Sequence, residues 1–398
     1  MTSAVRLGNR FRLPGAQPIV RDPDEEHRAA TPLELLFDLC FVVAVAQAAA
    51  AYHHELVEGH VLDGVVGFAG GFFAVWWGWM NFTWFSSAHD RDDVLHRVLT
   101  LTQMAGALVL AAGVSRAVVD GDFGIAVVGY VVMRMGLVAS WLRVAAGHPE
   151  GRTRALRFAG GITVLQVLWI ANLALPEGVG PVSFAVLALG ELAVPVWAES
   201  ALGQPLFHPH HIEERYGLFT ILVLGESLLS ATVGFQQALD SRGVSVEMVV
   251  IGLSGLVLAF GCWWLYFDHP GHLSPTRAQG FRWGYGHVLV FASLAALGAG
   301  VYVGLEAVEG HGSERVGALA VAVPIAGFLL GIVAILVLTG SPALDIRVVP
   351  KVVGAVVIVA VGLVAPVTVT AVVAAVLVAS LVVYMVTRGD DPPLDEPL

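Results

Sequence analysis

"TPLELLFDLCFVVAVAQAAAAY", residues 31–52, holds two carboxylates, Glu34 and Asp38, at the mouth of an otherwise apolar run. Such a run reads as a helix built for lipid, because crossing a hydrocarbon core of ~30 Å takes about 20 mostly apolar residues. The rest of the chain repeats the pattern. Of 398 residues, 57% are hydrophobic and 13% charged, against roughly 25% charged in soluble domains, and the mean hydropathy is +0.76. The composition predicts an all-α, polytopic transmembrane bundle of about 12 spans, the first near 33–51 and the last two at 348–365 and 366–387. Only Pro366 and neighbouring small residues divide that last pair.

The first 30 residues are polar, with no short apolar stretch and small-residue cleavage site ahead of the first span, so that span is expected to act as its own insertion signal. With the N-terminus inside, every Lys and Arg except Arg116, Arg134, Arg242 and Arg315 falls in an inside segment. This bias predicts a multi-pass protein of the cytoplasmic (inner) membrane with both termini cytoplasmic. The net charge of −11 says little about partners, since most acids are scattered through loops and tails. Beyond the lipid bilayer, the expected partner is an unidentified small molecule or ion, and no nucleic acid. Cys40 and Cys262 both lie inside spans, so neither a disulfide framework nor a CxxC metal site follows from them.

An internal repeat organises the chain. "AVWWGW" (74–79) and "FGCWWLYF" (260–267) both follow glycine-rich apolar spans, and Trp76 and Trp77 align with Trp263 and Trp264 at an offset of 187. The same offset lays Phe37 on Leu224, Asn81 on Asp268 and Gly113 on Gly300. The chain then divides into an arm (1–30), two six-helix repeats (31–200 and 205–387) and a tail (388–398). An even number of helices per half predicts parallel repeats about an axis along the membrane normal, with functional residues where the halves meet.

The offset places Asp38 on Gly225, next to Glu226 of "YGLFTILVLGESLLS". A charge near the centre of a span costs about 2.5–3.5 kcal/mol, so such residues usually face a partner or a wet cavity. Glu34 and Asp38 project from one helical face, and Arg215, Phe219, Glu226 and Ser230 form a comparable stripe. Arg134, mid-membrane in the fourth span, is the complementary charge, expected to pair with Asp38 or Glu226; Glu191 is a third buried acid. The candidate substrate or proton-coupling residues are therefore Asp38, Glu226, Arg134, Glu34, Arg215, Glu191, Asn81 and Asp268. The plainer reading is that these charges only fix how helices dock. Glu34 also suits a helix start, with Thr31 as N-cap and Pro32 at the first helical position.

Two polar clusters close helices on the inner side. "SSAHDRDD" (86–93) offers His89, Asp90, Asp92 and Asp93; "FHPHHIEERYG" (207–217) offers His208, His210, His211, Glu213 and Glu214. Aspartates at this density can hold Mg²⁺ against a diphosphate, and imidazoles beside glutamates can hold zinc. Neither spacing matches a strict ligand pattern, and a solvated helix cap is the blander account, as it is for His269, His272 and His287. No cofactor is expected, apart from a divalent metal under that alternative. "WWGWMNFTWF" (76–85) reads as an interfacial aromatic belt with packing, and Asn81 and Asp268 as polar groups lining a shared cavity.

These blocks, with "GYGHVLVFASLAALGAGV" (284–301), resemble in order the signature blocks of the bacterial low temperature requirement A family, over about 31–387. By motif match, Glu34, Phe37, Asp38, Glu214, Arg215, Gly225 and Glu226 occupy that family's characteristic positions. Leu36 and Tyr216 stand where the family more often shows phenylalanine. The resemblance implies a membrane protein and carries over no substrate or reaction. Buried acids in two repeats lead to a small-molecule or proton-coupled transporter as the first reading. A metal-dependent intramembrane enzyme acting on a lipid or isoprenoid phosphate is the alternative, and a non-catalytic sensor or scaffold the third. Nothing resembles GxxxxGK[ST], so ATP-driven transport by this chain alone is not expected.

Overall fold

A computed structural model describes residues 29–89, 92–176, 179–200, 207–268, 273–274, 276–342 and 345–388; Asp90, His269 and His272 lie outside the described residues. Among those described, all the long regular elements are α-helices: α1 (Pro32–Val57), α2 (Val61–His89), α3 (Val94–Val119), α4 (Gly124–Gly147), α5 (Arg152–Asn172), α6 (Gly180–Glu199), α7 (Pro209–Arg242), α8 (Val246–Phe267), α9 (Arg277–Val308), α10 (Glu314–Leu338), α11 (Val349–Val364) and α12 (Val367–Arg388). Eleven of them are long and apolar enough to cross a membrane. The exception is α11, whose 16 residues span only about 24 Å at ~1.5 Å per residue. The expected break does fall at Pro366, since α11 ends at Val364 and α12 begins at Val367; proline has no N–H to continue the ladder and crowds the preceding turn.

The helices group into two compact units: Met1–Ala51, Val66–Phe219 and Ser274–Arg277 form one, and Tyr52–Val65, Thr220–Leu273 and Ala278–Leu398 the other. Thus α1, α2 and α7 each pass from one unit into the other. His211 and Arg215, read from the repeat as the start of the second half, group with the first unit.

Within the first unit, α3 and α4 meet through glycine. A Cβ on Gly113 would fall 2.4 Å from the Ala126 backbone nitrogen, so only glycine allows the backbones this close. Within the second unit, Gly300 does the same between α9 and α10, where a Cβ would lie 1.9 Å from the Ala320 carbonyl oxygen. These are the two glycines matched by the 187-residue offset.

The start of α3 illustrates how loop charges fasten this packing. Asp93 is its N-cap, in extended conformation, and its Oδ1 accepts the His96 backbone N–H at 2.9 Å, relieving one of the unpaired donors of the first turn. Arg143 of α4 donates to both Asp93 oxygens, from Nη1 to Oδ1 at 3.0 Å and from Nη2 to Oδ2. Burial pushes the Asp93 carboxyl up, but the Arg143 and His96 hydrogen bonds outweigh it and hold the group below the ordinary carboxylate range. A depressed folded-state pKa adds stability that is complete above the unfolded value of ~3.9 and is lost as pH falls through the lower folded value. The melting temperature in detergent should therefore drop as pH falls below about 4, and Asp93→Asn should flatten that part of the profile while costing about 1–2 kcal/mol at neutral pH. An unchanged acid limb in the variant would assign the loss to other groups.

Candidate functional site

The opening stretch begins with a capping box. The Thr31 backbone N–H donates to Glu34 Oε2 at 2.8 Å, and the Glu34 N–H to Thr31 Oγ1 at 3.2 Å, the reciprocal pairing that satisfies two donors at a helix start. That accounts for one Glu34 oxygen. The other, Oε1, accepts from Ser86 Oγ at 2.8 Å and lies 3.2 Å from both His211 Nε2 and Arg215 Nη1. Glu34 is 2% exposed, and His211 and Arg215 are fully buried.

One turn further along α1, Asp38 is also fully buried. Its Oδ1 accepts from Trp79 Nε1 at 2.7 Å and pairs with Arg215 Nη2. Residues four apart share a helical face, so Glu34 and Asp38 on α1 confront His211 and Arg215 on α7, with Arg215 bridging both acids. Aromatic rings enclose the group: Trp79 stacks on Phe219 at 4.2 Å and meets Tyr216 edge-on at 4.9 Å, while Phe37 stacks between Phe41 and Phe82. Among the described residues, Asp38 Oδ2 and Arg215 Nε have no hydrogen-bond partner. Two carboxylates and one guanidinium leave a net negative charge in this pocket unless a proton joins them.

A third buried carboxylate is treated differently. Glu191 of α6 has no exposed surface, and five donors from three other helices, α2, α4 and α5, converge on it. Trp77 Nε1 and Arg134 Nη2 reach Oε2 at 3.0 and 2.8 Å; Tyr130 Oη, Gln166 Nε2 and Trp169 Nε1 reach Oε1 at 3.1, 3.1 and 3.3 Å. Arg134 therefore pairs with Glu191, not with Asp38 or Glu226 as expected. The tryptophan stretch needs correction too. Trp76, Trp77 and Trp79 are at most 1% exposed, so they are no interfacial belt. A buried indole usually places its N–H on an acceptor, and Trp77 and Trp79 place theirs on Glu191 and Asp38. The offset counterparts of Trp76 and Trp77, Trp263 and Trp264, lie on the surface of α8, each nearly half exposed.

Among the described residues, the remaining candidates make no hydrogen bond or ion pair to Asp38 or Glu191. Glu226 is half-buried, with no hydrogen bond or ion pair among the described residues. Asn81 donates back to the Trp77 carbonyl on its own helix at 2.8 Å, and Asp268 is the exposed C-cap of α8. For the metal alternative, Asp92 pairs with Arg97 at 2.6 Å on the surface, Asp93 is committed to its cap and Arg143, and His89 packs on Phe85 and Trp141. His210 stands 3.9 Å from Glu213, Glu214 accepts the Ala30 N–H at 3.1 Å, and His208 Nδ1 accepts the His211 N–H at 3.3 Å. Among the described residues no three His, Cys, Asp or Glu side chains are arranged to hold a metal ion.

An all-helical chain with eleven apolar spans, enclosing ion-paired carboxylates, defines a multi-pass integral membrane protein. The family model described as "Bacterial low temperature requirement A protein (LtrA)" matches residues 29–386. The chain belongs to that family. It is also similar to a protein of Rhizobium meliloti (strain 1021) named as uncharacterized, at 23% identity over 267 residues, which are 65% of this chain and 63% of the relative. The match thus spans less than two thirds of that relative's length.

Proposed function

We propose that the protein is a proton-coupled permease for a small molecule, with Asp38 as the coupling acid and Arg215, Glu34 and His211 as its partners. The observation that carries this reading is the orphaned Asp38 Oδ2, fully buried in a cluster where carboxylates outnumber fixed cations. Ionised, Asp38 holds Arg215; protonated, it releases much of that attraction, and Arg215 is left to Glu34. Such an exchange changes the contact between α1 and α7 with each proton, which is what coupling requires. Glu191 offers no such freedom, because all its lone pairs are engaged, and its cluster suits a helix lock. Glu226, half-buried and unpaired among the described residues, is the second candidate acid. In this reading the protein sits in the cytoplasmic membrane with both termini inside, as the distribution of basic residues favours. The metal-dependent enzyme has weaker support, because its ligands are scattered among ion pairs and caps.

The test uses proteoliposomes loaded with pyranine and challenged with a panel of amino acids, sugars, organic acids and amines. Wild-type protein should move protons on addition of at least one of them. Asp38→Asn should abolish that flux while keeping the wild-type helical content and gel-filtration profile, and Asp38→Glu should retain part of it. Wild-type liposomes that move no protons with any solute, or an Asp38→Asn variant as fast as wild type, would overturn the reading.

A further inference from the structure

Lys351 is the sole lysine in a chain with 20 arginines, and it is 1% exposed in the first turn of α11. Its Nζ donates to the Arg347 carbonyl at 2.9 Å, and its other polar neighbour is Met385 Sδ at 3.9 Å. No carboxylate among the described residues lies within ion-pairing distance. The charged groups around it do not make up for this. From the α10–α11 connection, Asp345 is bound in two places by Arg347, with Nε to Oδ1 at 3.1 Å and Nη2 to Oδ2 at 3.0 Å. Arg347 itself is a second positive charge. Asp268, at the end of α8, makes no ion pair with it, α12 contributes Met385 from its last turn, with Tyr384 next to it and the exposed Arg388 over the Tyr384 ring, and α10 has no ionisable residue after Arg315.

A permanent cation is poorly placed here on three counts. It is out of water without an anion, it sits at the positive end of a helix, and it is beside an arginine. A lysine that snorkelled would carry its ammonium to the surface, but Nζ is buried and turns back to the Arg347 carbonyl one turn earlier in the chain. Arginine keeps its charge under all ordinary conditions, whereas lysine can surrender it. We propose that Lys351 is a proton-exchanging amine, and that this position holds a lysine in an otherwise arginine-only chain because its side chain must be able to become neutral. The proposal concerns the second unit and does not depend on the permease reading.

A single lysine makes the test direct. Protein labelled only with ¹⁵N- and ¹³Cε-lysine gives one side-chain signal, assigned by its loss in Lys351→Arg. Followed from about pH 6 to 10, with helical content recorded alongside, the signal should pass from the ammonium to the amine position with a midpoint below about 9, against ~10.4 for an exposed lysine. A midpoint of 9 or above overturns the proposal. A second comparison reads it without NMR: Lys351→Met should melt at a higher temperature than Lys351→Arg, because the methionine removes the charge that the arginine makes permanent. The reverse order counts against the proposal.

Discussion

Arg215→Leu is expected to destabilise the detergent-solubilised protein by about 3–5 kcal/mol, because it leaves the buried Asp38 with no cation and the buried Glu34 with only His211 and neutral donors. Arg215 is the cation shared by Glu34 and Asp38, and aromatic rings exclude water as a substitute. The loss should shrink when Asp38→Asn is added, and again with Glu34→Gln, since each removes a buried negative charge that has lost the guanidinium. Glutamine at position 34 can still close the capping box with Thr31. The measurement is thermal unfolding of the single, double and triple variants, read as a cycle. Destabilisation that simply accumulates from Arg215→Leu to the triple variant would mean that the guanidinium contributes packing and not charge.

Glu191→Leu is expected to cost a similar 3–5 kcal/mol for the opposite reason: it removes the acceptor and leaves donors behind. Arg134 would stay buried as an uncompensated cation, and Trp77, Tyr130, Gln166 and Trp169 would each lose a hydrogen bond, with unpaired buried donors costing about 1–3 kcal/mol apiece where they cannot relax. Glu191→Gln keeps an acceptor oxygen and should cost less. The double variant Glu191→Leu with Arg134→Leu should recover stability relative to Glu191→Leu alone, since an apolar pair can replace a buried ion pair. If the double variant is less stable than Glu191→Leu, the cluster is held by its neutral donors.

Composition and hydropathy made the helical membrane architecture legible, because lipid leaves the backbone few alternatives. The Thr31–Pro32 helix start, the break at Pro366 and Asp38 as an acid buried within its span were equally readable from spacing. The partners were not. Arg134 could be seen as mid-membrane, but the choice among Asp38, Glu226 and Glu191 depends on which faces of four helices converge, and periodicity within one helix carries no such information. The role of Trp77 and Trp79 was hidden for a related reason. Tryptophan at a span's end is ordinarily interfacial, and only helix packing shows that these indoles are buried and need acceptors. The signal that could have found them is the count of buried acids, which exceeds the buried cations available to them.

Trp77 and Trp79 stand two residues apart on α2, about 200° around the helix, and serve Glu191 and Asp38 respectively. One rod thus carries the latch of two separate bolts. Under the permease reading proposed above, a twist or slide of α2 that freed the Asp38 carboxylate would also strain the contact at Glu191, so the five-donor cluster would act as the return spring for movement at the ion-paired one. The stiffness of the Glu191 cluster, set by residues that make no bond to Asp38, would then limit how far and how often the proposed coupling site opens.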